Sequence, residues 1–204
     1  ELSGGIFIEH GVHFFDLLRW WLGEGQLEAA QQVRRPGNEA ITEQVQATVS
    51  YGPVLVNFYH GFTQATRMDR QEMRLVFERG TVRLFEWVPT SYEIDLLATH
   101  DTLAQLGELL PHAHVTTLAR YDGDERKVES RHKRYEVDGR FVLRGDVGMG
   151  KQDLYGHVLR SLLADQIKAI DNPTHERRVS DRNGYESLAL AAAADDAAAG
   201  RRSP

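Results

Sequence analysis

The chain has 204 residues, 41% of them hydrophobic and 26% charged, with a net charge of -6 and no cysteine. That apolar share can bury a core, the acidic balance argues against nucleic-acid binding, and the missing thiols exclude disulfides, thiolate metal sites and a cysteine nucleophile. No apolar run approaches the roughly 18 residues that span a bilayer and no secretory signal opens the chain, so no membrane is expected as a partner and a cytoplasmic location is the default.

The chain starts at Glu1 without methionine and reaches a dense motif, GGIFIEHGVHFFD, over residues 4–16. A free-standing domain usually has a frayed lead-in, so a longer protein with a further part upstream is expected. Gly4 and Gly5 read as a turn, and Gly11 as the break between a strand-like approach and a helix. Val12 to Leu22 is apolar at helical spacings and stops at Gly23, a natural C-terminal cap. Trp20 and Trp21 are expected in the core, because aromatic rings dominate buried area.

From Gln44 to Tyr51 the period changes to two. Val45, Ala47, Val49 and Tyr51 alternate with Gln44, Gln46, Thr48 and Ser50, which predicts a strand with one covered face. Gly52-Pro53 turns the chain into a second strand, Val54 to Phe62. Either Leu55, Asn57 and Tyr59 or Val54, Val56, Phe58 and His60 must share the polar face of its partner. Such a mixed face suits a partner subunit better than bulk water.

Met73 to Phe77 and Thr81 to Trp87 make another hairpin around Arg79-Gly80, and Tyr92 to Leu97, Val115 to Ala119 and Arg140 to Leu143 add strands. Tyr121 to Arg134 reads as a solvated connection. Asp153 to Ile170 is a long amphipathic helix with Leu154, Val158, Leu162 or Leu163, and Ile167 on one stripe, ended by Asn172-Pro173. Ser180 caps a last, alanine-rich helix that runs to Gly200. The predicted fold class is α+β: one large, predominantly antiparallel (mixed) β-sheet with helices packed on one face.

Gly145 to Lys151, GDVGMGK, fits G-x-x-x-x-G-K, but Gln152 stands where magnesium binding needs a hydroxyl, so a flexible loop before a helix is the cheaper reading. At the opening motif, spacing leaves three readings. Glu9, His10 and His13 could hold a metal, although no H-E-x-x-H spacing supports it. Glu9 and His13 at i and i+4, with Asp16 three residues on, could transfer protons, a carboxylate fixing the tautomer of an imidazole that titrates near pH 6.5. Or Asp16 merely caps or hydrates the helix while His13 is half-buried. His60 and the remaining histidines read as surface or satisfied residues.

Residues 4–20, GGIFIEHGVHFFDLLRW, resemble the GG-x-apolar-apolar-D-x-G-x-H-x-x-D-L-L-x-W segment that opens the C-terminal domain of the glucose–fructose oxidoreductase, inositol dehydrogenase and MocA (Gfo/Idh/MocA) family. Met73 to Leu84 and the ending from Ile170-Asp171-Asn172-Pro173 through Val179-Ser180 to Gly200-Arg201 are similar more weakly. The stretch from about His100 to Val147 matches nothing in the pattern. The resemblance implies a single substrate-binding and oligomerisation domain over residues 1–204, part of an NAD- or NADP-dependent oxidoreductase acting on a sugar-like or cyclitol alcohol. It implies catalytic roles for His13 and Glu9, with Asp16 in support. Glu9 stands where the family has aspartate, one methylene or about 1.5 Å longer. His10 has no counterpart role and reads as a bystander.

No G-x-G-x-x-G follows a strand at the chain start, so the dinucleotide-binding domain is expected outside this chain, with no cofactor-binding residue and no metal ligand within it. A homo-oligomer through the open sheet face and a small polyol substrate are the expected partners. The alternative from another class is a non-catalytic ligand-binding or assembly module derived from the same family, for which the substitution at Glu9 speaks.

Overall fold

The computed structural model describes residues 4–201. A π-helical turn, Phe7–Gly11, leads into α1 (Val12–Leu22), followed by β1 (Gln26–Arg35), β2 (Asn38–Tyr51) and β3 (Val54–Gly61). Then come β4 (Glu72–Phe77), β5 (Gly80–Phe85), β6 (Ser91–Ala98), α2 (His100–Leu109), β7 (His114–Arg120), β8 (Lys127–Glu129), β9 (Arg134–Glu136) and β10 (Gly139–Asp146). The chain closes with α3 (Lys151–Asp171) and α4 (Asp181–Ala198). It divides into two compact units, Glu1–Met68 with Asp165–Pro204, and Asp69–Ala164.

The α+β class and the antiparallel pairing are as expected, but the strands do not form one continuous sheet. Hydrogen bonding arranges them as β1-β2-β3, β4-β5-β6-β10-β7 and β8-β9, every pairing antiparallel. Residues 62–71, between β3 and β4, belong to no helix or strand.

In the first unit the π-helical turn, α1 and α4 pack on the three-stranded sheet. Val45, Ala47, Val49 and Tyr51 of β2 are buried, as the alternation requires, and Phe58 of β3 joins them. Register settles which β3 residues share the polar face. Tyr59 pairs with Gln46, Asn57 with Thr48 and Leu55 with Ser50. That face is laced by hydrogen bonds, Thr48 Oγ1 to Asn57 Oδ1 at 2.8 Å and Tyr59 OH to Gln44 Oε1 at 3.3 Å. β1 was not apparent from its sequence, QLEAAQQVRR, which lacks alternation. It exists because it pairs with β2 along its length, with irregularities near Leu27/Ala29 and Val33/Arg34 that blur the period.

Gly11 corrects the expectation of a helix break. Its φ of -59° and ψ of -38° are helical, so the turn and α1 are continuous. The glycine is needed for space: a Cβ there would lie 3.2 Å from the Phe7 ring and 3.3 Å from the Phe15 ring. Gly23, with φ of 90°, does end α1, and its N–H donates to Arg19 O at 2.8 Å.

The tryptophans are a second correction. Trp20 is 67% exposed and Trp21 42%, because the packed stripe of α1 runs through Gly11, Phe15 and Leu18, and Trp20 falls roughly opposite it. On α4, Ser180 makes the expected cap. Its hydroxyl accepts from Asn183 N while Asn183 Oδ1 accepts from Ser180 N at 3.1 Å. Ala191 and Ala194 are fully buried, small enough for α4 to approach its neighbours closely.

In the second unit α2 covers one face of the five-stranded sheet, with Leu103, Leu106 and Leu110 against Ala98, Phe141 and Leu143. Across the opposite face run Glu72, Arg83, Glu93 and Arg144, paired strand to strand at 2.7 to 3.0 Å. Such exposed pairs stabilise little individually. α3 begins and ends close to expectation, but the residues of its apolar stripe from Val158 to Ile167 are exposed.

Candidate functional site

The opening motif folds as part of one continuous helix, so its residues distribute around an axis. Phe7, Gly11, Phe15 and Leu18 face the core. On one flank, His10 and Phe14 meet β3, the His10 ring lying 5.2 Å from Phe62 and the Phe14 ring 5.6 Å from His60. On the other flank, Asp16 and Arg19 meet α4: Ser187 Oγ donates to Asp16 Oδ1 at 3.3 Å, and Arg19 pairs with Glu186. The remaining side is exposed and carries Glu9, His13 and Trp20.

Of the residues expected to act together, Glu9 and His13 therefore share one accessible surface. Asp16 sits on the neighbouring side, where its carboxylate engages α4. An exposed imidazole beside a carboxylate at i and i-4 can exchange a proton with a bound hydroxyl at neutral pH.

His60 is the residue that sequence reading missed. It faces Val45 across the ladder, on the covered face of the sheet with Phe58. Burial, followed by the charge of nearby His10, pushes its imidazole down to about 4, so it is neutral at physiological pH. The signal was available: His60 continues the alternation of Val54, Val56 and Phe58. His10, set aside as a bystander, is its electrostatic neighbour.

The glycine loop before α3 does not fit a pyrophosphate. Asp146 places a carboxylate inside it and accepts from Gly148 N at 2.7 Å, while Lys151 Nζ is engaged by Glu86 at 3.1 Å. An anion would meet a carboxylate and a cation already paired. Among the described residues no three His, Asp or Glu side chains converge as a metal site, and no helix is long and apolar enough to cross a membrane. A groove of about 350 Å³ is lined by Phe15, Arg19, Glu186 and Ser187, among others, and one of about 210 Å³ by Tyr92, His112, Asp146 and Val147; Glu9 and His13 line neither.

Residues 1–95 match the family model described as the oxidoreductase family, C-terminal alpha/beta domain, of the Gfo/Idh/MocA group. Over this stretch the chain resembles the C-terminal domain of that oxidoreductase family. The matched stretch contains the whole opening motif, Glu9 and His13 included. Among solved structures, a Bacteroides fragilis protein superposes with a TM-score of 0.55 at 11% identity, covering 96% of this chain and 52% of that one. A Yersinia pestis protein gives 0.48 at 16%, covering 100% and 51%, and YvaA of Bacillus subtilis 0.47 at 12%, covering 97% and 50%. All three are provisionally named oxidoreductases. At such identities the first likeness is one of fold. The chain spans about half the length of each of these structures. No curated protein matches the sequence.

Proposed function

We propose that the chain is the substrate-binding and oligomerisation domain of an NAD- or NADP-dependent oxidoreductase that acts on a sugar-like or cyclitol alcohol. The observation that carries this reading is the placement of Glu9 and His13 on one exposed side of a helical turn, inside the stretch that matches the family. His13 accepts the proton of the substrate hydroxyl as that carbon is oxidised, and Glu9, one turn earlier, orients the imidazole. The nicotinamide supplies hydride transfer when bound. It is held by a dinucleotide-binding domain outside this chain, since the glycine loop here is committed to its own carboxylate and Glu86.

The test is His13→Ala in the full-length enzyme, with cofactor reduction followed over a panel of polyols. Loss of a general base lowers turnover by about a hundredfold or more; unchanged turnover overturns the assignment. The open face of the three-stranded sheet, where Leu55 and Tyr59 stand exposed among hydrogen-bonded polar side chains, is the proposed oligomer surface. Leu55→Glu should shift the elution of the full-length protein toward a smaller species.

A second reading, a non-catalytic ligand-binding or assembly module, draws on Glu9 in the place of aspartate. An upstream sequence without G-x-G-x-x-G after a strand favours it.

A further inference from the structure

Four rings form a wall beside the Glu9–His13 surface. His10 and Phe14 come from the helical turn, His60 and Phe62 from β3 and the residue after it, in two ring contacts of 5.2 and 5.6 Å. At about 100° per residue His10 and Phe14 lie on the flank next to the side that carries Glu9 and His13, so the wall borders the exposed pair. His10, Phe14 and His60 are half-buried and Phe62 is exposed, so part of the wall remains accessible to a ligand.

The charge of this region is one-sided. Residues 4–18 and 54–62 contain two carboxylates, Glu9 and Asp16, and no lysine or arginine. Histidine is the one source of positive charge there. His60 does not provide it, because burial and His10 keep its ring neutral. A neutral imidazole still offers one N–H donor and one acceptor nitrogen, a match for a hydroxyl group, which can both accept and donate. An anionic substituent would find no lysine or arginine within these two segments and would approach the Glu9 carboxylate.

Resting on the proposed oxidoreductase reading, we infer that His60 is a specificity-determining residue that hydrogen-bonds a hydroxyl of an uncharged polyhydroxylated substrate, and that the wall discriminates against phosphorylated and carboxylated analogues. The rings of Phe14 and Phe62 supply apolar surface for the C–H edges of such a substrate.

The experiment uses the full-length enzyme with paired probes: myo-inositol and D-glucose against inositol 1-phosphate, glucose 6-phosphate and D-gluconate. The wild type should turn over an uncharged probe with kcat/KM at least about tenfold above its charged partner. His60→Phe, which keeps ring volume, should raise KM for the uncharged probe by about tenfold with kcat little changed, the size expected when a hydroxyl loses its partner. His60→Asn, which restores a donor and an acceptor, should recover most of that loss, a rescue that a merely structural role does not produce. Preference for a charged probe, or an unchanged KM in His60→Phe, overturns the inference while leaving the role of His13 intact. Turnover that survives His13→Ala, or no turnover of any probe by the wild type, overturns the underlying reading and this inference with it.

Discussion

Asp16 on α1 and Ser187 on α4 are 171 positions apart in sequence, yet Ser187 Oγ reaches Asp16 Oδ1 at 3.3 Å. Ser187 is 2% exposed, so the contact is made away from water, next to the Arg19–Glu186 ion pair. An acid that could have served His13 is thereby engaged in joining the two helices.

Asp16→Ala should destabilise the protein by about 0.5–1.5 kcal/mol, the net worth of one hydrogen bond, because the Ser187 hydroxyl keeps Asn183 O as an acceptor. Ser187→Ala should cost less. Chemical denaturation of both single variants and the double variant tests the pair: a coupling energy near zero would mean that the contact contributes nothing.

His60 should make stability depend on pH. Its folded pKa, about 4, lies below the unfolded value near 6.5, so between these values the unfolded chain binds more protons than the folded one. Stability is therefore fully present above about pH 6.5 and falls as the pH drops toward 4, by about 3 kcal/mol for a shift of that size. Urea midpoints between pH 7 and 4 should show this slope, and His60→Asn should flatten it. An equal slope in both proteins would contradict the burial of the ring.

Gly11→Ala places a methyl group against two phenyl rings at 3.2 and 3.3 Å. The better helix propensity of alanine is worth about 1 kcal/mol, but overpacking costs about 1–3 kcal/mol. The net effect should be a lower melting temperature. Were Gly11 a helix break, alanine would instead distort the local backbone, which amide chemical shifts around Val12 would reveal.

For the chain alone, isothermal titration with NAD and NADP should show no tight binding. The Asp146–Gly148 hydrogen bond and the Lys151–Glu86 pair leave the glycine loop without free groups for a pyrophosphate. Micromolar or better affinity would contradict this.

What the sequence disclosed and what it hid follow from how each element gains its stability. α1, the β2–β3 hairpin and the Ser180 cap carry local signals, namely helical spacing, strict alternation and a hydroxyl at an N-terminus, and each lies where it was expected. β1 and α2 carry weak ones. β1 depends on its pairing with β2, and α2 on the landing of Leu103 and Leu106 upon Phe141, both of them non-local events. The site divides in the same way. Helical spacing puts Glu9 and His13 on one exposed side, because that placement is set within about one turn. The approach of His60 to His10 and Phe14 required a strand and a helix distant in sequence to meet. Aromatic identity alone misplaced Trp20 and Trp21, which the exposed side of α1 carries.

The way α1 and the turn before it are held has a consequence for how their exposed side can change. Rings fasten it to β3 on one flank, and a hydroxyl and an ion pair fasten it to α4 on the other. Positions 9, 13 and 20 project from the side that neither attachment uses. Substitutions of Glu9 and Trp20 should shift stability by no more than about 0.5 kcal/mol, the range typical of exposed surface sites. That exposed side is thus modular at Glu9 and Trp20: these residues can be exchanged, in nature or in the laboratory, without renegotiating the scaffold beneath.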